Sequence, residues 1–242
     1  MKRVAINQSN YIPWKGYFDL IHDVDVFMFY DDVQFTVRDW RNRNKIKTPQ
    51  GPAWLTIPVG ADRNRLICEV EIDPVRWQAS HWKRIRKVYG KAPFFTKYED
   101  MLRVVYVETE WRSLSELNQF LIQRISRDCL GIEAQFIQSS DFHVTSRKQE
   151  RILGLLKAVE AEVYVSGPAA KAYLDPERFR KEGIELIWKD YSGYPEYPQA
   201  YPPFEHAVTI LDLLFHVGPD APYYIWGWRA DRPRPVVAAA HG

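Results

Sequence analysis

The chain has 242 residues, of which 46% are hydrophobic and 26% are charged, and this globular composition excludes an intrinsically disordered protein. Its formal net charge is +2, whereas a dedicated nucleic-acid-binding protein usually carries a much larger basic excess. No window approaches the run of about 20 apolar residues that spans a membrane, and no signal-peptide pattern follows Met1. These features predict a cytoplasmic protein that binds neither nucleic acid nor membrane.

Residues 1–30 follow a strand–loop–helix–strand pattern. The stretch 3–7 is β-branched and reads as a strand, the loop that follows contains Pro13 and Gly16, and residues 17–22 read as a short helix. Residues 24–30 are almost continuously apolar, as buried parallel strands are. The pattern therefore predicts a βαβ unit, whose crossover should be right-handed.

The rest of the chain divides into a polar segment, a helical segment and a second α/β region. Residues 31–48 are polar and basic and predict an irregular loop, followed by strands at 53–59 and 67–72. A helical segment spans about 74–130, with helices at 77–89, 95–107 and 114–130. The second α/β region has strands at 134–138, 163–165 and 185–188 and helices at 146–159, 169–174, 179–182 and 208–215.

This order of elements predicts an α/β fold with a Rossmann-like, open and mostly parallel sheet, to which a helical part is inserted or appended. We expect residues 1–228 to form one such domain. Residues 229–242 are rich in proline, arginine and alanine and predict a flexible tail.

The first candidate site is the turn after the first strand. In open parallel sheets, ligands bind where the carboxyl end of a strand meets the amino-terminal end of a helix. The predicted ligand-binding residues in this turn are Gln8, Tyr11, Trp14, Gly16 and Tyr17. A purely structural turn is the alternative.

The second candidate site follows the second strand. Asp31 and Asp32 come directly after a buried strand and are candidate catalytic acids. The basic segment beyond them mixes cations, amides and an indole, which suits an anionic ligand that contains a ring. Its predicted binding residues are Gln34, Trp40, Arg41, Asn42, Arg43 and Lys45. A solvated charged loop is the alternative, and an RNA-binding patch is less favoured because acids interrupt the basic run.

Two further stretches could carry chemistry. Ser166 and Gly167 follow a predicted strand and form a turn into a helix, which is a geometry that suits phosphate. Tyr197 and Gln199 lie in a long aromatic, proline-rich loop that could cover a pocket. Asp212 lies on an otherwise apolar helix, where a carboxylate requires either a partner or a function, and it is a third candidate catalytic acid.

No metal site is predicted. Cys68 and Cys129 have no metal-binding or redox spacing, and the six histidines show no metal-binding spacing either.

Taken in order, these stretches resemble the WbqC-like family, whose members occur with O-antigen and related surface-glycan genes. The similarity runs over nearly the whole chain. In the first part of the chain it is carried by Val4-Ala5-Ile6-Asn7-Gln8, Tyr11, Pro13, Gly16-Tyr17-Phe18, Tyr30-Asp31-Asp32-Val33-Gln34-Phe35, Trp40-Arg41-Asn42-Arg43-Asn44 and Trp54-Leu55-Thr56-Ile57-Pro58-Val59. Further on it is carried by Lys91-Ala92-Pro93-Phe94-Phe95, Leu130-Gly131-Ile132, Ser166-Gly167, Tyr173-Leu174-Asp175, Tyr197-Pro198-Gln199 and Ile210-Leu211-Asp212.

The resemblance implies that the protein modifies an activated amino sugar. Our hypothesis is a transferase that joins an acyl or aminoacyl group to the amine of a nucleotide-linked sugar. Asp31 or Asp32 would accept the amine proton, and Ser166 and Gly167 would bind a second anionic group. The diphosphate would be held by three cations, Arg41, Arg43 and Lys45. No resident cofactor is evident, but an acyl donor or ATP is possible, and the oligomeric state is left open.

Two alternatives remain. The first thirty residues are similar to the start of nucleotidyltransferase-type folds, which implies an ATP-dependent ligase or nucleotidyltransferase that binds ATP at residues 8–17. Those enzymes have a Gly-His pair where this chain has Gly16-Tyr17. The second alternative is a non-catalytic accessory protein that binds a sugar nucleotide.

Overall fold

The computed structural model describes residues 1–231. Its first elements in chain order are β1 (Arg3–Asn7), α1 (Lys15–His22), β2 (Val26–Phe29), β3 (Arg43–Thr48), β4 (Gly51–Thr56), α2 (Trp77–Tyr89), α3 (Phe95–Arg103) and α4 (Leu114–Arg124). The later elements are β5 (Gln135–Gln138), α5 (Lys148–Ala158), β6 (Val163–Ser166), α6 (Pro176–Lys181), β7 (Glu185–Trp188), α7 (Ile210–Val217) and α8 (Ala221–Ile225).

Five parallel strands form the central sheet in the order β5-β2-β1-β6-β7. After β1 the chain passes through α1 to β2, which lies next to β1 on one side. After β6 it passes through α6 to β7, which lies next to β6 in the opposite direction across the sheet. The strand order therefore reverses between β1 and β6, which makes this boundary the topological switch point of the sheet. The predicted Rossmann-like, open parallel sheet is confirmed.

Both faces of the sheet are covered, because alternate residues of each strand point to opposite sides. Val4, Val26 and Met28 pack on one side against α5 and α6. Ala5 and Phe27, their neighbours in sequence, pack on the other side in a larger cluster with α1 and the helices of the middle segment. Burial on both faces explains why β2 has no polar residue.

The prediction of an irregular loop over residues 31–48 was wrong for its second half. Residues 43–48 form β3, which pairs with β4 in an antiparallel hairpin whose turn is closed by Gly51 at a φ of 100°. The strand was missed because lysines flank Ile46 on both sides, so the segment lacks the apolar, β-branched character that signals a strand. The hairpin packs Ile46 into the core all the same.

The strand predicted at residues 67–72 was also wrong. Residues 67–69 form a short 3-10 helix, in which the backbone N–H of Leu66 donates to the side chain of Glu69. That local hydrogen bond competes with strand pairing. The predicted helices of the middle segment are present as α2, α3 and α4, and π-helical turns at Val104–Glu108 and Ile125–Cys129 extend the last two.

The end of the described chain is tied to α1. Arg229, in a 3-10 turn after α8, donates to both carboxylate oxygens of Asp19 at 2.9 and 2.6 Å. The predicted flexible tail, residues 229–242, therefore begins with an anchored residue, and its part from 232 to 242 lies outside the described residues. Within residues 1–231, no helix combines the length and the apolar character needed to cross a membrane.

Candidate functional site

A cleft with a volume of about 730 Å³ opens at the carboxyl edge of the sheet, over the switch point. Residues at or just beyond the ends of three strands line it: Asn7 and Gln8 at the end of β1, Tyr30 after β2, and Ser166 and Gly167 at the end of β6. Because the chain leaves β1 and β6 in opposite directions, the two crossovers diverge and leave a crevice between them. The predicted turn residues Gln8, Ser166 and Gly167 thus lie in one site.

The walls of the cleft are aromatic. They are formed by Trp14, Tyr17, Trp40, Tyr164, Tyr173 and Tyr191, besides Tyr30. Burial raises the pKa of Tyr17 well above its ordinary value and also raises the pKa of Tyr30. Both phenols are therefore neutral at physiological pH. The Tyr17 hydroxyl donates to the carbonyl of Gln8 at 2.8 Å, whereas the Tyr30 hydroxyl can donate a hydrogen bond to a ligand. Among the described residues that line the cleft, one carries a positive charge: Lys148, the first residue of α5.

Asp31 holds the chain that follows β1. Its side chain is 3% exposed, and one carboxylate oxygen accepts a hydrogen bond from the backbone N–H of Ser9 at 2.8 Å. The other oxygen accepts from the Ser115 hydroxyl at 2.5 Å and the Gln119 amide at 2.9 Å, both on α4. Asp31 therefore fixes the turn after Gln8 against α4, and it does not line the cleft.

Asp32 lies behind the wall of the cleft. Its carboxylate accepts hydrogen bonds from the Ser139 hydroxyl at 2.5 Å and from the guanidinium of Arg151. The side chains of Asp32 and Arg151 are each 16% exposed. The Arg151 guanidinium lies 5.1 Å from the centre of the Tyr30 ring. The acid is thus connected to the cleft through Arg151 and Tyr30.

Asp212 belongs to a buried network beneath the loop over residues 191–208. Its carboxylate is 0% exposed and accepts hydrogen bonds from Tyr89 at 2.9 Å, Tyr197 at 2.7 Å and Gln199 at 2.8 Å. The three predicted residues Tyr197, Gln199 and Asp212 are therefore brought together, but outside the lining of the cleft. Their contacts fasten the loop to α7.

Lys15 lies under the same loop. Its ammonium group faces the rings of Tyr194 and Tyr197 at 5.0 and 5.3 Å and donates to the carbonyl of Pro195 at 3.3 Å. Burial lowers the pKa of Lys15 to about 8, although Asp212 and Glu196 oppose the shift.

Two of the three predicted cations of the basic segment, Arg43 and Lys45, lie on the β3–β4 hairpin, and Arg41 precedes it. The Arg43 guanidinium stacks on Trp54 at 4.2 Å, and the Lys45 amine lies 5.0 Å from the same ring. Arg41 forms an ion pair with Asp39 at 3.1 Å. Among the predicted binding residues of this segment only Trp40 lines the cleft, and its ring centre lies 5.5 Å from that of Trp54.

The amides of the basic segment make structural contacts. Asn42 donates to the carbonyl of Ile57 at 3.0 Å, and Gln34 donates to that of Arg63 at 3.3 Å.

Tyr11 and Gly16 support the first turn from behind. The Tyr11 hydroxyl shares hydrogen bonds with Tyr106 and with His81 Nδ1 in the core, at 2.5 and 2.9 Å. A Cβ atom on Gly16 would lie 2.3 Å from the Trp14 ring. Glycine is therefore needed here so that the Trp14 indole can lie flat over α1, next to the cleft.

Sequence reasoning missed several residues of the cleft. Asn10, Lys148 and Tyr191 line it and were not predicted, and Tyr30 and Tyr173 were noted in motifs without a role. Tyr191 follows β7 as Gln8 follows β1, so its position after a predicted strand was the available signal. Lys148 had no such signal, because only the packing of α5 on the sheet brings it to the cleft.

A side pocket of about 240 Å³ adjoins the cleft and shares Asn10, Trp14 and Trp40 with it. Its other lining residues are Pro13, Asn44 and Ala207. Over the described range 1–231, no group of three or more His, Cys, Asp or Glu side chains is arranged to hold a metal ion.

An open parallel sheet with an aromatic cleft at its switch point defines an α/β protein of the Rossmann-like class. Within that class the chain belongs to the WbqC-like protein family, whose model matches residues 8–224. It is 46% identical over 227 residues to the uncharacterised protein Rv1507c of Mycobacterium tuberculosis H37Rv, an alignment that covers 93% of this chain and 98% of that protein. No solved structure gives a significant match.

Proposed function

We propose that this protein is a transferase of O-antigen-type surface-glycan biosynthesis that attaches an acyl or aminoacyl group to the amine of a nucleotide-linked amino sugar. The observation that carries the proposal is the aromatic cleft of about 730 Å³ at the switch point. Its size suits a small organic ligand, and membership of the WbqC-like family supports the sugar as substrate.

The cleft would promote the reaction mainly by orientation. The sugar amine attacks the carbonyl carbon of an activated acyl donor, such as a thioester, and a carbon–nitrogen bond forms. The bond from that carbon to the leaving group breaks, and the amine proton passes to the departing thiolate. When both reactants are bound in the correct orientation, the reaction no longer depends on a collision in solution, and its rate rises by several orders of magnitude.

In this proposal Tyr30 is the catalytic residue. Its neutral hydroxyl donates a hydrogen bond to the carbonyl oxygen as that oxygen gains negative charge. Asp32 is a positioning residue: it holds Arg151, which lies beside Tyr30. Asp31 is a second positioning residue, because it holds the turn that follows Gln8. Lys148 attracts the anionic part of a substrate, and the turn at Ser166 and Gly167 provides the second anion-binding position.

The test is a transfer assay with uridine- and thymidine-diphosphate amino sugars as acceptors and a set of acyl and aminoacyl thioesters as donors, with product detected by mass spectrometry. Tyr30→Phe should lower kcat by about 10²–10³-fold, the usual effect of one lost oxyanion donor. Tyr223→Phe, a half-exposed phenol outside the cleft lining, is the control. Absence of product with every pair would contradict acyl transfer.

A second candidate function is a non-catalytic sugar-nucleotide-binding protein. It is favoured by one observation: the described residues that line the cleft include no Asp, Glu or His side chain. It predicts that the same acceptors bind tightly in calorimetry without turnover, and that Tyr30→Phe changes the affinity alone.

A further inference from the structure

Two stretches of the chain carry cations without any acid. Residues 40–61 and 74–98 hold eleven of the 33 lysine and arginine residues and none of the 31 aspartate and glutamate residues. The rest of the chain therefore has nine more acids than cations, although the formal net charge of the whole chain is only +2. Charge that is separated in this way attracts polyanions to one part of a protein surface.

The two stretches pack against each other and form one basic face. The first contains the β3–β4 hairpin, and the second contains α2. Arg84 on α2 donates to the carbonyl of Trp54 on β4 at 2.9 Å, and the Trp54 ring carries Arg43 and Lys45 at 4.2 and 5.0 Å. We define the basic face by five cations: Arg43, Lys45, Lys83, Arg84 and Lys87.

The cations of α2 lie close together without compensation. Lys83, Arg84 and Lys87 are exposed, and Lys87 lies one helical turn from both of the others. Like charges at this spacing repel each other and destabilise a helix. Arg86 has an acid partner in Glu99 at 3.6 Å, whereas these three cations form no ion pair among the described residues. An acidic partner would remove the repulsion.

The basic face begins at the rim of the cleft. Trp40 lines the cleft and is 39% exposed, and its ring centre lies 5.5 Å from that of Trp54. Inside the cleft, the described lining residues include one cation, Lys148. A donor with several phosphates, such as an acyl-coenzyme A, would therefore find few charged partners there. Recognition of an anionic donor falls instead to the basic face outside the cleft.

We propose that the basic face docks an acidic carrier protein, which delivers the acyl or aminoacyl group to the cleft as a thioester on a flexible arm. The sugar amine forms the new carbon–nitrogen bond, the carbon–sulfur bond breaks, and the amine proton passes to the sulfur, so the carrier leaves as a free thiol. The inference rests on the proposed function for what the carrier delivers, whereas docking itself does not depend on it.

The form of the face favours a protein over RNA or lipid. Cations one turn apart on α2 match carboxylates that lie one turn apart on a partner helix. The aromatic and apolar residues Trp77, Ile85 and Tyr89 of α2 are buried in the core. This helix therefore presents no ring on which an RNA base can stack and no apolar side that can enter a lipid surface.

Calorimetry of the full chain with a panel of acidic acyl and peptidyl carrier proteins tests the docking. At least one carrier should bind the wild-type protein, with an affinity that falls as the salt concentration rises. Lys83→Glu combined with Lys87→Glu should weaken that binding by about 10-fold or more, because it places like charges across the interface. Lys83→Gln combined with Lys87→Gln should weaken it by a smaller factor.

The matched control is Arg180→Glu combined with Lys181→Glu. It changes the net charge by the same amount, at exposed residues of α6 that lie outside the basic face, and should leave the affinity unchanged at physiological salt. No binding to any carrier, or equal weakening by the two charge-reversed variants, would overturn the proposal. Tighter binding of transfer RNA, or of vesicles that contain phosphatidylglycerol, would overturn the assignment to a protein.

The inference and the proposed function fail separately. Acyl transfer from a coenzyme A thioester, together with no binding of any carrier, would overturn the docking and leave the transferase in place. Carrier binding that depends on Lys83 and Lys87, without any transfer product, would support the docking face and contradict the transferase.

Discussion

Asp32 is held by a hydroxyl and a guanidinium that come from distant parts of the chain, Ser139 and Arg151. We expect Asp32→Asn to lower the free energy of unfolding by roughly 1–3 kcal/mol, because it leaves a largely buried Arg151 without its charged partner. Thermal melting measures the loss, and Asp141→Asn, an exposed acid in the adjacent turn, is the control. An unchanged melting temperature with a lower transfer rate would instead make Asp32 the general base that the sequence suggested.

His81 should make stability depend on pH. Burial lowers its pKa from 6.5 to about 4, so the folded protein keeps it neutral while the unfolded chain takes up a proton between those values. Stability should therefore fall as the pH drops from 6.5 to 4, by roughly 3 kcal/mol in all. Urea unfolding across this range measures the slope. His81→Gln should remove most of this dependence of stability on pH. His143→Gln should leave the dependence unchanged, because His143 is exposed.

Part of the predicted set lies together in the cleft, whose role as a binding site stays a prediction. Gln8, Trp14 and Tyr17 line it and belong to the segment after β1, a position that can be read locally from sequence, and Trp40 lines it as well. The ion pair of Asp32 with Arg151 could not be predicted from the sequence, because it forms only when α5 packs on the sheet.

Helix α1 depends on the glycine at its second position. Gly16→Ala would place a methyl group within 2.3 Å of the Trp14 ring and displace the indole from the shared wall of the cleft and the side pocket. We expect overpacking to lower the free energy of unfolding by roughly 1–3 kcal/mol, and the displaced indole to weaken binding of the proposed nucleotide-sugar acceptor. Gly227→Ala is the control, because the nearest atom there lies at 3.6 Å. If Gly16→Ala bound the ligand with wild-type affinity, the position of Trp14 would not be important for binding.

The elements themselves were predictable to different degrees. Strands β1 and β7 have the bounds predicted for them, because each contains three consecutive apolar residues, Val4-Ala5-Ile6 and Leu186-Ile187-Trp188. Strand β3 was missed because Lys45 and Lys47 occupy its alternate positions. Lys47 is buried and donates to Gln199 at 3.3 Å, a contact with a loop that lies far away in sequence.

Across the whole molecule, Asp19 ties together three distant parts of the chain. It is fully buried and is paired with Lys189, just after β7, and with Arg229 at the end of the described region. Lys189→Met should destabilise the protein by about 3–5 kcal/mol, and Arg229→Met by less, because their side chains are 5% and 33% exposed. Urea unfolding measures both losses. Lys157→Met, at an exposed ion pair, should change little, and equal losses in all three variants would contradict this account.

The pairing of β1 with β6 has a consequence for how the protein is made. Arg3 pairs with Val163, so the first strand to leave the ribosome waits for most of the chain before it gains its neighbour on that side. Contacts between such distant segments form slowly, and the edge of β1 stays open in the meantime. The cleft needs Gln8, Ser166 and Tyr191 together, so a nascent chain has no binding site until translation has passed β7. We expect ligand to bind the protein only after synthesis of this region and to have no part in guiding the earlier steps of folding.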